Sequence, residues 1–447
     1  MKLTKNIENF PSEHFLTKWI IASAIGLEVF FLYLFTIQDV GLIGVILIFA
    51  LACAAVIFLH PQLGIIIIIG LIYSNVASLV GGSVFKVVVV FTLVAWLINN
   101  LMYDPRFVNH RTSFYIGLFT LLAIISIIPA SNKELALEAF STYIKSAILF
   151  FLIINLIDSP QLIRYTLWII VLMAAVNAVY GISSFFSNAL LAGRVSALRE
   201  DPNNLAIILV SAVPLTVSLL KQEKGLLAKM ILFASGISII VTVALTYSRG
   251  GMIALIFVLL WLLYNERKNR LVMVVFIIIL AIIMYLFIEE FSHYQKLIRL
   301  VVKDQSFIQR LKLYRGGLRM FMAHPLIGVG LGNFIVWSTR YTGLILALYA
   351  HNIFLHIAAE TGIVGLFAFV LIIYHGVKAS LVACKNAAKY NLHDIMNYAT
   401  GLKISLAGFI VAGMFLSQHF NKALWTLIGL CVAIEKITET YSSMEHG

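Results

Sequence analysis

The residues able to do chemistry fall into four polar clusters set in apolar surroundings. Arg194, Arg199, Asp201, Pro202, Asn203 and Asn204 lie in one short connection, and Ser248, Arg249, Gly250 and Gly251 make a second. His324-Pro325-Leu326-Ile327-Gly328-Val329-Gly330-Leu331-Gly332-Asn333 is the third; His351 and Asn352, followed by His356 and Glu360, form the fourth. Arginines and one well-placed histidine are present, but no convincing pair of carboxylic acids. Ordinary glycoside hydrolysis usually needs such a pair, to protonate the leaving alkoxide and to activate a nucleophile. A sugar carried on a diphosphate does not, because diphosphate leaves as a stable anion and requires charge stabilisation instead. Arginine supplies that through bidentate, permanently charged hydrogen bonds. A histidine titrating near neutrality can take the proton of the attacking hydroxyl. Attack from the face opposite the leaving group inverts the anomeric centre.

Several of these residues also have plain structural uses. Asp201 before Pro202 is good chemistry for a helix start, an N-cap carboxylate followed by proline at the first helical position. Arg249 could be an interfacial residue that snorkels to the membrane surface, and His324, before proline, fits a turn. Alternate glycines at 328, 330 and 332 permit unusual backbone angles or close approach to a ligand. There is no G-x-x-x-x-G-K-[ST] phosphate loop. His351 and His356 lie about 140° apart around a helix, so the two are not expected to share a metal. His356 and Glu360, at i and i+4, share a face and suit an internal hydrogen-bonded pair. A carboxylate inside a span must face protein or water.

The elements that must position these residues are membrane helices. Of 447 residues, 61% are hydrophobic and only 12% charged, against about 25% charged in soluble domains. That excludes a soluble globular protein. Continuous apolar runs such as Leu63 to Ile72 exclude the alternating strands of an outer-membrane barrel. The three cysteines, Cys53, Cys384 and Cys431, have no metal-ligand or redox spacing. Hydropathy predicts spans near 18–37, 40–59, 63–80, 86–102, 113–131, 141–157, 162–186, 203–220, 229–247, 250–264, 271–288, 353–376, 398–418 and 422–436. No small-residue cleavage site follows the first, so residues 18–37 are expected to remain as a span.

With the N-terminus in the cytoplasm, seventeen of the 32 basic residues fall on the inner side, nearly all in short loops. Both termini are then cytoplasmic and all four clusters face outward. One outer connection, Phe291 to Ala350, carries eight basic residues and a single acid, Asp304. Long loops are usually functional. Here Lys296, Arg299 and Lys303, then Lys312, Arg315 and Arg319, recur at i, i+3 and i+7 among apolar residues, the pattern of interfacial amphipathic helices. The expected fold is all-α: a polytopic integral membrane protein of about 12 to 14 transmembrane helices with one long periplasmic loop, 289–350, carrying amphipathic helices.

At these residues the sequence resembles the bacterial O-antigen ligase and O-antigen polymerase superfamily. His351-Asn352, nine residues, then Gly362-Ile363-Val364-Gly365 is similar to the ligase signature H-[NSQ]-x9-G-x-x-G. Ser248-Arg249-Gly250, the Arg194 to Asn204 stretch and His324 to Gly330 are similar to family features in the expected order. The resemblance implies a multi-pass protein of the bacterial inner membrane whose active site faces the periplasm. It implies His351 as the base that activates the acceptor hydroxyl, and Arg194 or Arg199, Arg249 and a loop arginine, Arg310, as ligands of the diphosphate. Asn203, His324, Asn352 and Glu360 are the expected supporting residues. The implied donor is an undecaprenyl-diphosphate-linked glycan and the implied acceptor is lipid A-core oligosaccharide or another glycan, with membrane lipids around them. No metal, cofactor or nucleic acid is expected.

The expected organisation is N-terminal helices over 1–190, a catalytic region over 191–380, and C-terminal helices with a cytoplasmic tail over 381–447. Three rivals share the donor or the surface. A polymerase would use a second lipid-linked repeat as acceptor, and a protein O-oligosaccharyltransferase would use a hydroxyl of a protein. A transporter of lipid-linked oligosaccharide would use the outer charges for capture, although many transporters show paired repeats and broken helices at the midplane.

Overall fold

A computed structural model describes residues 54–75, 83–102, 107–187, 195–196, 201–265 and 305–445. The chain divides into two units, Met1–Leu59 and His60–Gly447. Of the first, residues 54–59 are described and are helical. The expected spans 18–37 and 271–288, most of 40–59, and the basic triplet Lys296, Arg299 and Lys303 lie outside the described residues.

The described part of the second unit is all helix: α1 (Pro61–Ser74), α2 (Ser83–Met102), α3 (Arg111–Ile127), α4 (Lys133–Leu156), α5 (Pro160–Phe186), α6 (Pro202–Gln222), α7 (Leu226–Leu245), α8 (Arg249–Asn265), α9 (Gln305–Ala323), α10 (Phe334–Thr342), α11 (Ile353–Lys389), α12 (His393–Gly413) and α13 (Lys422–Glu445). Among the described residues, seven helices are long and apolar enough to cross a membrane; α1, α3 and α8 are shorter apolar helices. The protein is an all-α polytopic membrane protein.

Local chemistry sets several helix starts. Asn132, Ser159, Asp201 and Asn352 each accept a backbone N–H of the first turn on a side-chain oxygen, and Pro160 and Pro202 occupy first helical positions. Such caps satisfy donors that helix geometry leaves without intrahelical partners. The α6 helix is central: it is buried along nearly its whole length and packs on α5, α7, α8 and α12. The α11 helix packs on α3, α12 and α13, and α4 packs on α13. Outward faces remain apolar, with Val87, Val90 and Leu101 on α2, Phe114 and Leu121 on α3, Leu227 and Phe233 on α7, and Ile256 and Leu260 on α8 all exposed. Exposed apolar surface this extensive marks contact with lipid.

Several spans differ from the hydropathy reading. The helix begun at Ile353 runs to Lys389, beyond 376, and is broken at Gly362, whose φ of 70° and ψ of −167° are not helical. Its last part carries Lys378, Lys385 and Lys389, so an apolar window cannot detect it. The span expected over 398–418 ends as a helix at Gly413, and Met414 to Asn421 form a connection. Within it Leu416 is buried and Phe415 lies close over Gly250, so the apolar run outlasts the helix. The α4 helix begins at Lys133, well before 141, under the Asn132 cap.

The two ends of the bundle differ. At the end where α5 begins and α6 finishes, Arg164 grips Glu223 with two N–H···O bonds of 3.0 Å, and Trp168 Nε1–H donates to the same carboxylate. His110 meets Glu435 at 3.0 Å at that end as well. The opposite end, where α6, α8, α11 and α13 begin, carries the polar clusters.

Candidate functional site

His351 is the residue just before the cap of α11. Asn352 Oδ1 accepts the N–H groups of Phe354 and Leu355, both at 3.0 Å, which fixes where the helix starts. His351 itself has φ of 51°, a left-handed conformation uncommon for a residue with a Cβ and characteristic of strained functional positions. Two bonds hold it there. Its N–H donates to Ser417 Oγ at 2.9 Å, and its carbonyl accepts from the Tyr314 hydroxyl at 3.2 Å. The ring is half-buried, and Nδ1 is closed off without a hydrogen-bond partner. Burial first, then the nearby charge of Arg310 and His356, lowers the imidazole below its ordinary pKa, against an opposing pull from Asp201.

That electrostatic neighbourhood brings together residues far apart in sequence. Asp201 caps α6 by accepting Asn203 N–H at 2.7 Å, as its spacing from Pro202 predicts. Asn203 is buried; its Nδ2 donates to Asp201 and its Oδ1 accepts from Ser248 Oγ at 2.8 Å. Ser248 Oγ in turn accepts Gly251 N–H at 3.2 Å, so the first two clusters form one hydrogen-bonded assembly. Asn204 Oδ1 accepts from Gln418 at 2.6 Å, joining that assembly to the connection that holds His351. Arg249 is exposed at the first residue of α8, and the next residue, Gly250, lies so close to Phe415 that a Cβ there would sit 2.7 Å from the Phe415 Cβ. Arg194 and Arg199 lie outside the described residues. Val195, between them, donates its N–H to Leu245 O at 3.3 Å, which runs that connection beside the end of α7.

Arg310 and Tyr314 project from α9, the amphipathic helix expected in the long loop. Its Lys312, Arg315 and Arg319 are exposed while Leu313, Gly316, Gly317 and Met320 face inward. Gly317 lets the helix press against Leu355 and Phe334; a Cβ there would meet Leu355 Cγ at 2.9 Å. His324, in contrast, is exposed at the end of α9, its ring 6.1 Å from that of Trp337.

Glu360 is a scaffold residue. It is 1% exposed, and its two oxygens accept Phe334 N–H and Gly332 N–H, each at 2.9 Å, with His356 Nε2 at 3.0 Å from Oε1. The i, i+4 spacing had indicated that pair. The break at Gly362 also frees carbonyls for the glycine loop: Val329 N–H donates to Ala359 O, Gly330 N–H to Glu360 O, and Ile363 N–H to Pro325 O. Gly328, Gly330 and Gly332 all have positive φ. Their close approach is to the protein's own backbone. A Cβ on Gly328 would lie 2.3 Å from the Glu360 carbonyl carbon, and one on Gly332 2.5 Å from Leu135 O.

The residues that sequence reasoning missed are Tyr314 and the connection Ser417-Gln418-His419. Ser417 to Lys422 is a polar run between two apolar helices, a signal hidden because hydropathy extended the preceding span over its start. His419 lies beside His356, with ring centroids 4.4 Å apart. Burial, and then His356, drives its imidazole well below the ordinary value.

Fold and site together define a class: a polytopic helical membrane protein with a half-buried, backbone-strained histidine among amides, hydroxyls and arginines at one end of the bundle. Residues 233–370, from within α7 through the break in α11, match the family described as O-antigen ligase. That likeness covers 138 of the 447 residues, including α8, α9, α10 and His351 with the break in α11. No curated protein matches the chain.

Proposed function

We propose that the protein transfers a glycan from undecaprenyl diphosphate to an acceptor hydroxyl at the periplasmic face of the bacterial inner membrane, with inversion, and that lipid A-core oligosaccharide is the acceptor. The observation that carries this reading is the seat of His351. Its backbone is pinned in the left-handed region from both sides, and burial with Arg310 nearby favours the neutral imidazole a base must be. Nδ1 is closed off, so Nε2 is the nitrogen that receives the acceptor proton. As the acceptor oxygen bonds to the anomeric carbon, the bond from that carbon to the diphosphate oxygen breaks. The electron pair leaves with the lipid diphosphate.

Arg310 and Arg249, with Arg194 or Arg199, stabilise the charge that develops on that leaving group. Asp201, Asn203 and Ser248 shape the floor of the site; Glu360, Asn352 and Ser417 hold the base. The catalytic region 191–380 thus draws on residues 414–421 as well. The seventeen basic residues that the hydropathy topology assigns to the inner side support cytoplasmic termini.

The test is reconstitution of purified protein with an undecaprenyl-diphosphate glycan and lipid A-core, comparing wild type with His351→Ala. Transfer to the core by wild type alone is expected. Consumption of donor into longer lipid-linked chains would instead make the protein a polymerase using the same base, and full activity of a folded His351→Ala protein would remove the mechanism.

A further inference from the structure

Close to the His351 seat, three buried groups converge. His356, Glu360 and His419 are 3%, 1% and 7% exposed, and one potential ligand atom from each lies within 4.8 Å of the other two. They come from the first turns of α11 and from the connection before α13, so tertiary structure alone assembles them. His419 leaves Nδ1 buried with no hydrogen-bond partner. That is costly in a protein interior, and such an atom beside the His356 ring calls for an explanation.

We propose that His356, Glu360 and His419 bind a divalent transition-metal ion, Zn2+ by preference, which joins α11 to the connection before α13. Two imidazoles and one carboxylate are a ligand set suited to zinc, with a fourth position left for water, whereas Mg2+ and Ca2+ prefer all-oxygen ligation. His356 Nε2 and Glu360 Oε1, 3.0 Å apart, are spaced as two ligands at about 2.0 to 2.2 Å from one ion would be. The ion would replace the proton they now share. The surroundings match what a metal centre needs outside its ligands. Backbone N–H groups of Gly332 and Phe334 orient the carboxylate, Trp425 Nε1–H holds the His419 carbonyl at 3.1 Å, and the rings of Phe334, Tyr349 and Phe420 pack against the two histidines. Hydrogen-bonded orientation and an apolar shell of this kind tune affinity and exclude solvent.

The consequence is mechanical. The site would tie α11 to the 414–421 connection two residues from Ser417, which holds the His351 N–H. No step of the glycosyl transfer passes through the ion.

The test uses full-length protein purified through a histidine-free tag, stripped with a chelator and titrated with Co2+. About one Co2+ per chain is expected, with visible absorption typical of low-coordinate Co2+. His419→Gln should weaken binding by more than the roughly 10- to 100-fold that loss of an outer-shell partner costs. Equal uptake by wild type and His419→Gln, or none by wild type, would overturn the proposal. If His419→Gln does not fold, wild type decides: chelation should lower its thermal midpoint and Zn2+ restore it, and an unchanged midpoint counts against the site.

Discussion

At the scale of single residues, the protein places one histidine in a conformation its neighbours must enforce. Asn352 is the local device. Removing its two cap bonds by Asn352→Ala should cost about 1 kcal/mol and lower turnover through loss of His351 placement. Asn352→Asp, which keeps the acceptor oxygen, should recover most of both; thermal midpoints and kcat in the same detergent would show it, and equal loss in the two variants would contradict the capping role. The base also has a pH signature. Arg310 and His356 oppose protonation of His351 and Asp201 favours it, with burial the largest influence and the net direction downward. Because the neutral ring is the reactive form, kcat/KM should rise with pH about a midpoint below the ordinary histidine value of about 6.5. Arg310→Ala should move that midpoint upward. A wild-type midpoint at or above the ordinary value would sink the assignment.

At the scale of elements, the glycine loop and the break in α11 are one structure. A helix interrupted at Gly362 exposes carbonyls of Ala359 and Glu360, and the loop from Pro325 to Phe334 supplies and receives the missing bonds. Side chains at its glycines have nowhere to go. Gly328→Ala adds a Cβ 2.3 Å from the Glu360 carbonyl carbon at φ of 75° and should abolish stable protein. Gly343→Ala is the control, since Gly343 has φ of 68° but open space around it. It should cost only the left-handed penalty of about 1 to 2 kcal/mol. Comparable thermal midpoints for the two variants would show that backbone angle, and not contact, governs the loop.

At the scale of the whole molecule, charge asymmetry and apolar faces give the bundle an orientation that labelling can read. In a background with Cys53, Cys384 and Cys431 replaced, a cysteine at Ile345, 98% exposed at the His351 end, should react with a membrane-impermeant maleimide added to spheroplasts. A cysteine at exposed Lys378, on the far part of α11, should react only after permeabilisation. The reverse pattern would invert the proposed topology.

The all-helical membrane class, the presence of α9 and the pairing of His356 with Glu360 were legible from composition and spacing, because burial in lipid and helix periodicity are local demands on sequence. The same is true of the Asp201-Pro202 helix start. Other features were decided only in three dimensions. The alternate glycines read equally well as a ligand cradle until Gly328 and Gly332 were seen against the protein's own backbone. Ser417 and Gln418 fell inside the expected span 398–418 because hydropathy averages over neighbours and cannot register where a helix stops. His351 could be singled out by sequence, but its left-handed backbone, its lowered pKa and its company of Tyr314, Arg310 and Ser417 depend on contacts between segments far apart in the chain. Short-range pattern specifies which segments become helices; the strain, burial and charge at a site arise only when distant segments are packed together.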